Sequence, residues 1–342
     1  MEIRNHKTNM VMHERLQRAL ESTRRNRGFS AEAVIQQKMD VLNDYYRKSG
    51  LKSAVVAVSG GIDSAVVLGL VAQAQQQPNS PIERIVAITM PAMDNDGVTG
   101  QEEAAMLAYQ VCHNFGVKPT TIRMDQIVNA ITQSVENAVG GPSDEKAQWC
   151  RGQVVSYART PTYYYVTSVL AAQGQPGLVI GTTNLSEGGY LGYFGKASDG
   201  MVDLQLISDL YKSEVYKIGA ALGVPHEIME RAPTGDMFDA TTDEVVFGAP
   251  YDFVELFMEH KRAQARVGNG DRVVATLYDI MVAMTLGVGA GEAQEQWDEY
   301  SANLERMHSY NAHKYRGRSP AVHLDVLDCG VIGGWDNPAW RA

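Results

Sequence analysis

Cysteine is scarce in this chain: Cys112, Cys150 and Cys329 are far apart and odd in number. That spacing argues against a disulfide framework or a thiolate zinc site and suits a reducing compartment, so a cytoplasmic protein is expected. No apolar run approaches the ~20 residues needed to span a bilayer, and no membrane partner is expected. The opening Met1-Glu2-Ile3-Arg4-Asn5-His6 lacks the apolar stretch of a signal peptide. Basic residues are the minority, 30 Lys and Arg against 40 Asp and Glu, for a formal charge of −10. Broad nucleic-acid binding is therefore disfavoured, and an anionic substrate must be held by a local basic cluster. The eight histidines form no His-Glu-x-x-His or other metal spacing, and repeats and low-complexity tracts are missing. Gly-Lys-Ser/Thr after a four-residue spacer and Gly-x-Gly-x-x-Gly are both absent, which excludes the two commonest phosphate-loop signatures.

What is present is Ser59-Gly60-Gly61-Ile62-Asp63-Ser64-Ala65 directly after the apolar run Ala54-Val55-Val56-Ala57-Val58. The β-branched run reads as a buried strand. Two glycines allow a tight turn and a close backbone approach to a ligand. A helix is expected from Ser64 to Gln77, before Pro78, with its free N–H groups pointing into the turn. Strand, turn and helix N-terminus together make a cradle for an anion such as phosphate. A carboxylate at Asp63 is repelled by phosphate unless a divalent cation lies between them, so Mg²⁺ is expected there.

Strand and helix alternate along the 342 residues, a length that allows one large domain or two small ones. Two helices precede the cradle: an amphipathic one over His13–Arg25, and a second capped by Ser30 and ended by Gly50. Further strands are expected at Ile85–Met90, Thr120–Met124 and Leu178–Ile180. Between them come a helix over Gln101–Phe115, a break at Gly140–Asp144 and a long helix near Gln153–Ala172. Pro161 should start or kink a piece of that last helix. The alternation predicts a doubly wound parallel α/β sheet with helices on both faces. Its ligand rim would carry Ser59–Ser64, Pro91–Val98 and Gly181–Glu187. The expected organisation is a helical extension over 1–50, a core over 51–258 and a mostly helical extension over 259–342.

A second dense segment runs from Gly181 to Asp203. Glu187 can supply another carboxylate to a metal at Asp63. Lys196 and Asp199 stand two small residues apart. Lys212 opens a helix that reaches Leu222 and stops at Gly223-Val224-Pro225. A cation in a first helical turn opposes the macrodipole and needs a partner such as phosphate. Thr241-Thr242-Asp243-Glu244 reads as a capping box with Thr241 as cap, a structural feature alone. Tyr163-Tyr164-Tyr165 reads as one helical stretch at a packed interface, and Leu277–Val288 as a buried core or dimer helix.

The cradle Ser-Gly-Gly-x-Asp-Ser resembles the pyrophosphate loop of the N-type ATP pyrophosphatases. The later series resembles the NAD synthetase family within that superfamily. It comprises Gly181-Thr182 with Glu187, Tyr193-Phe194-Gly195-Lys196, Asp199-Gly200 with Asp203-Leu204, Lys212, and Ala232-Pro233-Thr234. His313-Lys314 is similar to the family's terminal His-Lys. The resemblance covers roughly two thirds of the chain, from Ala54 to about Met258.

The resemblance implies an adenine nucleotide alpha hydrolase-like fold and an ATP-dependent amidation of nicotinic acid adenine dinucleotide. An adenylated intermediate would form, with release of AMP and pyrophosphate. It implies ATP contacts from Ser59, Gly60, Gly61, Asp63, Ser64, Met90, Thr182, Lys212 and Thr234, and Mg²⁺ ligands in Asp63 and Glu187. Arg159, Lys196, Asp203, His313 and Lys314 would hold the dinucleotide, and Asp199 would receive a proton from incoming ammonia. A homodimer is implied as well.

Two positions depart from the family pattern: Thr89 stands where an Arg often precedes the apolar-Pro pair, and Pro161 where a second Arg often follows Arg159. The stretch Met1–Ser53 holds no cysteine, and Cys112, Cys150 and Cys329 lack a Cys-His-Glu setting, so free ammonia is the expected nitrogen donor. Other ATP pyrophosphatase amidases or thiolases, and a non-catalytic nucleotide-binding regulator, are the alternatives. Intact Asp63, Glu187 and Lys212 count against the regulator.

Overall fold

The computed structural model describes residues 10–92, 100–235, 242–268, 291–315 and 321–327. The expectations for Val98, Thr241, Leu277–Val288 and Cys329 fall outside these residues. Among the described residues, six strands form one sheet: β1 (Ser53–Ala57), β2 (Arg84–Thr89), β3 (Pro119–Thr121), β4 (Gly177–Gly181), β5 (Leu204–Gln205) and β6 (Val322–His323). Their order is β3-β2-β1-β4-β5-β6, and every pairing is parallel. The chain leaves β1 towards β2 on one side and later returns to β4 on the other. A crevice therefore opens beyond the carboxyl ends of β1 and β4, where such sheets take their ligands.

Alternation along β1 sorts its side chains between two cores. Ala54 and Val56 face a core shared with α2 (Ala31–Ser49), α3 (Ile62–Gln76), α4 (Gly100–Asn114) and α7 (Lys212–Leu222). Val55 faces the opposite core, under α5 (Asp125–Val139) and α6 (Asp144–Ala172). The sheet is thus covered on both faces, as the apolar strands require. A third, aromatic-rich cluster joins α1 (Glu14–Arg27) to α10 (Tyr251–Gly268) and α11 (Gly291–Tyr315) through Leu16, Phe253, Phe257, Trp297 and Tyr300.

Local chemistry explains the borders. Ser30 caps α2 by accepting a hydrogen bond from the Ala33 amide at 3.3 Å, and Gly50 ends it in the left-handed conformation. α7 runs over Lys212–Leu222 and stops at left-handed Gly223, the borders read from the sequence. Three readings are corrected. α3 begins at Ile62, so Asp63 lies inside its first turn. α5 adds an amphipathic helix that was not expected. α6 starts at Asp144 and runs unbroken through Pro161, because one proline removes one backbone bond while neighbouring anchors hold the helix on both sides. Two-residue β5 and β6 were not foreseen, since so short a pair shows no period.

The strand β6 is locked to the body by buried polar groups. The Lys38 ammonium, fully buried, sits 2.5 Å from Asp209 Oδ1 and donates to the Leu324 carbonyl at 2.7 Å. Asp209 Oδ2 accepts the amides of Val326 and Leu327. Beside this pair, Ser208 Oγ donates to Asp325 and lies 2.8 Å from His323 Nδ1. Since the serine proton is spent on Asp325, His323 Nδ1 carries the proton, and the ring is buried neutral.

Burial pushes the His323 ring down from 6.5 to about 4, and Asp209 only partly opposes this. Between those values the unfolded chain binds more protons than the folded one, so stability present above pH 6.5 is lost as pH falls. The contribution is on the order of 3 kcal/mol. Urea unfolding of the parent and of His323→Asn across this range should show a shallower acid loss in the variant. Equal slopes would remove His323 from the acid response.

Candidate active site

The loop after β1 is built by its glycine and its serines. Gly60 has φ +83°, and a Cβ there would lie 2.4 Å from the Ala104 carbonyl oxygen, so only glycine lets α4 pack against the turn. Gly61 takes an ordinary φ of −88° and begins α3 as its cap residue. Ser64 Oγ donates to the Gly61 carbonyl at 3.0 Å and accepts the Ser59 amide at 3.2 Å. Ser59 Oγ accepts the Gly61 amide at 3.3 Å and lies 3.2 Å from Ser64 Oγ. The loop is thereby pre-shaped around the N-terminus of α3, where the helix dipole favours an anion.

Asp63 projects from that first turn. Its Oδ1 accepts from Asn184 Nδ2 at 2.8 Å and its Oδ2 sits 2.5 Å from Lys212 Nζ. Across the crevice, the loop after β4 enters one π-helical turn, Glu187–Leu191, a rare geometry that recurs at functional positions. Asn184 Oδ1 accepts the Glu187 amide at 3.0 Å, so one side chain braces both carboxylates. Glu187 Oε1 accepts from Lys212 Nζ at 2.9 Å and from the Tyr251 hydroxyl at 2.8 Å. Lys212 itself is seated by its amide on Ser186 Oγ.

Burial dominates the electrostatics here. It pushes the Glu187 carboxyl up to about 7, against the pull of Lys212 and with the help of Asp63 and Asp243. Burial also works against the Lys212 charge, but the carboxylates of Asp63 and Glu187 outweigh it and hold the ammonium well above its ordinary value. The first-turn cation therefore finds carboxylates as partners in this structure. Two of its three N–H bonds serve them, and the third can serve an incoming acceptor.

Asp243 completes the cluster. It opens α9 (Asp243–Phe247), with Thr242 as the cap residue, so the cap moves one residue on from the expected Thr241. Asp243 is 5 % exposed, accepts from the Tyr193 hydroxyl at 3.1 Å, and lies 2.8 Å from the Tyr251 hydroxyl, whose single proton it shares with Glu187. The sequence pattern read it as capping chemistry; only the return of the chain over the crevice brings it to the site. Ser156, Tyr193, Phe194 and Arg231 were missed in the same way and line the same cavity.

That cavity has a volume of about 250 Å³ and brings together Ser59, Gly61, Asp63, Ser64, Arg159, Thr182, Glu187, Asp199, Lys212 and Thr234. A smaller one of about 60 Å³, lined by Met90, Ser59 and Arg159, opens beside it between the ends of β1 and β2. Arg159 borders both. Gly60 shapes the turn without lining either cavity. Lys196, His313 and Lys314 group at an outer rim: Lys196 Nζ donates to the His313 carbonyl, and Lys314 Nζ to the Gly192 carbonyl. Asp203 lines neither cavity. It accepts from the Val179 amide and the Tyr164 hydroxyl, tying β4 and α6 together.

Three carboxylates against one ammonium leave the cluster with up to two uncompensated negative charges. Hard oxygen donors with that deficit fit a divalent cation such as Mg²⁺, held by Asp63 and Glu187. Among the described residues no group of three or more such side chains converges at metal-binding range, so phosphate oxygens and water would supply the other ligands.

Removing the ammonium should expose the deficit. Lys212→Met is expected to lower stability by about 3–5 kcal/mol, as breaking a buried pair does, read from urea midpoints at neutral pH. A loss under about 1 kcal/mol would show that the carboxylates are not held by Lys212.

The NAD synthase family model matches residues 34–284, a span that contains the cradle, Glu187, Lys212 and Asp243. The NH3-dependent NAD synthetase of Thermoplasma volcanium is 30 % identical over 221 residues, 64 % of this chain and 81 % of that protein. That of Alkaliphilus metalliredigens is 32 % identical over 224 residues, 64 % and 83 % respectively. Among solved structures, an NMN synthetase from Francisella tularensis aligns with a TM-score of 0.62 at 24 % identity, covering 84 % of this chain and 96 % of that one. An NH3-dependent NAD synthetase from Campylobacter jejuni aligns at 0.53 and 21 %, over 84 % and 96 %. Among the described residues no helix is long and apolar enough to cross a membrane. With the family match running through both strand ends that carry the carboxylates and the lysine, the chain belongs to the NAD synthase family of ATP-dependent ligases.

Proposed function

We propose that this protein amidates nicotinic acid adenine dinucleotide with ammonia, at the expense of ATP. The observation that carries the reading is the Asp63–Lys212–Glu187 cluster at the sheet's switch point, facing Arg159 and Asp199 across one cavity. The relatives' names, NH3-dependent NAD synthetase, support both the substrate and the nitrogen donor.

The nicotinate carboxylate attacks the α-phosphorus of ATP, the bond to the bridging oxygen breaks, and pyrophosphate leaves with the electron pair. The Ser59–Ser64 cradle and the open Lys212 N–H bind phosphate oxygens, while Thr182 and Thr234 flank them. A bound Mg²⁺ on Asp63 and Glu187 supplies charge neutralisation for two anions that must meet. Met90 and its small cavity suit the adenine end, and Arg159 stands where the two substrates adjoin. Lys196, His313 and Lys314 form the rim that meets the dinucleotide. Ammonia then attacks the acyl carbon, the acyl–oxygen bond to AMP breaks, and one N–H proton passes to Asp199. Closing the rim keeps water from the adenylate.

The Francisella neighbour favours one other substrate, nicotinic acid mononucleotide, which lacks the adenylate half. Supplying each nucleotide with Mg²⁺, ATP and ammonium, and separating the products, decides between them. NAD with equal AMP and pyrophosphate is expected from the dinucleotide. An amide formed from the mononucleotide alone would overturn the substrate assignment. Glutamine in place of ammonium should give little product. Asp63→Asn should keep its fold and lose pyrophosphate release by several kcal/mol of transition-state stabilisation, roughly a thousandfold or more. Release near the parent rate would refute the metal assignment.

A homodimer is part of the proposal. α5 buries Val128 but exposes Val135 (52 %) and Val139 (78 %), and α6 adds exposed Trp149 and Tyr165. Exposed apolar side chains on two neighbouring helices suit association. Val135→Glu should shift the sedimentation coefficient towards the monomer. An unchanged coefficient would move the interface elsewhere.

A further inference from the structure

Asp199 stands on a loop that α6 holds at successive points. Thr160 Oγ1 donates to the Ala197 carbonyl at 2.5 Å, and the Tyr163 hydroxyl donates to the Ser198 carbonyl at 3.0 Å. One turn before Thr160 on the same helix face, Ser156 Oγ donates to Ser198 Oγ at 3.0 Å. Ser198, 3 % exposed, has a single hydroxyl proton. That proton is shared between the Gly195 carbonyl and Asp199 Oδ2, each at 3.3 Å. The Gly195 amide also donates to Asp199 Oδ2 at 3.3 Å. A Cβ at Gly195 would fall 2.0 Å from Ser198 Oγ, so the relay needs glycine at this point.

Hydrogen-bond direction follows from these contacts. Ser156 gives its proton to Ser198, which leaves Ser198 free to give its own towards Asp199. Both donors converge on Oδ2, and Oδ1 has no hydrogen-bond partner among the described residues. A carboxylate pinned through one oxygen presents the other on the cavity that Ser156, Arg159 and Asp199 line together.

We propose that Ser156, acting through Ser198, is the positioning residue of Asp199, and aims its Oδ1 at the nitrogen that attacks the adenylate. The inference rests on the reading of Asp199 as proton acceptor. Neither serine touches the reacting atoms in this scheme; each acts through the carboxylate. The relay serves the ammonia step and not the adenylation step, which separates it from a general loss of loop structure.

Four single variants, Ser156→Ala, Ser198→Ala, Ser156→Thr and Asp199→Asn, and the Ser156→Ala/Asp199→Asn double variant test it. Two readouts are taken: pyrophosphate release without ammonia, and kcat/KM for ammonium. Each alanine variant should lose about tenfold in kcat/KM for ammonium, as removing a hydrogen bond to a charged group does, and keep its pyrophosphate release. Ser156→Thr, which retains the hydroxyl, should recover most of the loss. Adding Ser156→Ala to Asp199→Asn should cost nothing more, because the relay has lost its target. Equal losses in both readouts, or a further multiplied loss in the double variant, would overturn the relay. If Asp199→Asn falters with ammonium while the alanine variants do not, the relay fails and the proton-acceptor reading stands. If Asp199→Asn uses ammonium normally, the acceptor reading itself falls and the relay with it.

Discussion

The site depends on one buried ammonium. Lys212 joins the first turn of α3, the π-helical turn after β4 and the start of α7 through Asp63, Glu187 and the Ser186 contact of its own amide. Asp63 lies 149 residues before Lys212 in the chain and Glu187 only 25, and the three meet because the strand order changes side between β1 and β4 while every pairing stays parallel. Without the ammonium, like charges would face one another in a low-dielectric crevice, where their repulsion is little screened. The lysine thus keeps the carboxylates of two facing loops side by side.

That arrangement also explains why the cluster sits poorly at rest. Glu187 is pushed up by burial and Asp243 is raised likewise, so the folded chain keeps more carboxylate near the crevice than one cation satisfies. Functional sites concentrate such perturbed groups, because binding a cationic ligand relieves them. Tyr251 hydrogen-bonds to both Glu187 and Asp243, and Tyr193 adds a second bond to Asp243. The third carboxylate is therefore held close to the other two by tyrosine hydroxyls. Around it the backbone does the shaping: Gly60 admits α4, and Gly195 admits Ser198.

The outer rim is fastened differently from the crevice. Lys196 reaches the end of α11 through a backbone carbonyl, and Lys314 reaches back to Gly192. Further along, β6 is pinned by the fully buried Lys38–Asp209 pair and by amides of Val326 and Leu327. The end of α11 and the sheet edge are thus both anchored, one by lysine contacts to backbone carbonyls that are exposed at Lys196 and half-buried at Lys314, the other by buried groups. Removing one partner of the buried Lys38–Asp209 pair would leave an uncompensated buried charge, whereas losing an exposed contact costs little.

Much of this was readable in the residues. The apolar run before Ser59, the paired glycines, the Ser30 cap, the Gly50 and Gly223 stops and the opening of α7 at Lys212 are local features, set by backbone sterics and hydrogen bonding within a few residues. Parallel strands with covered faces followed from the alternation of strand and helix along the chain. The partners of those residues were not readable. Lys212 was expected to seek phosphate and sits between carboxylates; Asp243 passed for a helix cap; Asp203, aligned with a substrate residue, ties β4 to α6. Ser156 and Ser198 carry no pattern at all, being 42 residues apart in the chain. Propensity and spacing act along the chain and determine which elements form. Only packing of the sheet's two halves decides which charged and polar side chains share one buried space, because burial and pairing energies exist only between surfaces the fold has brought together.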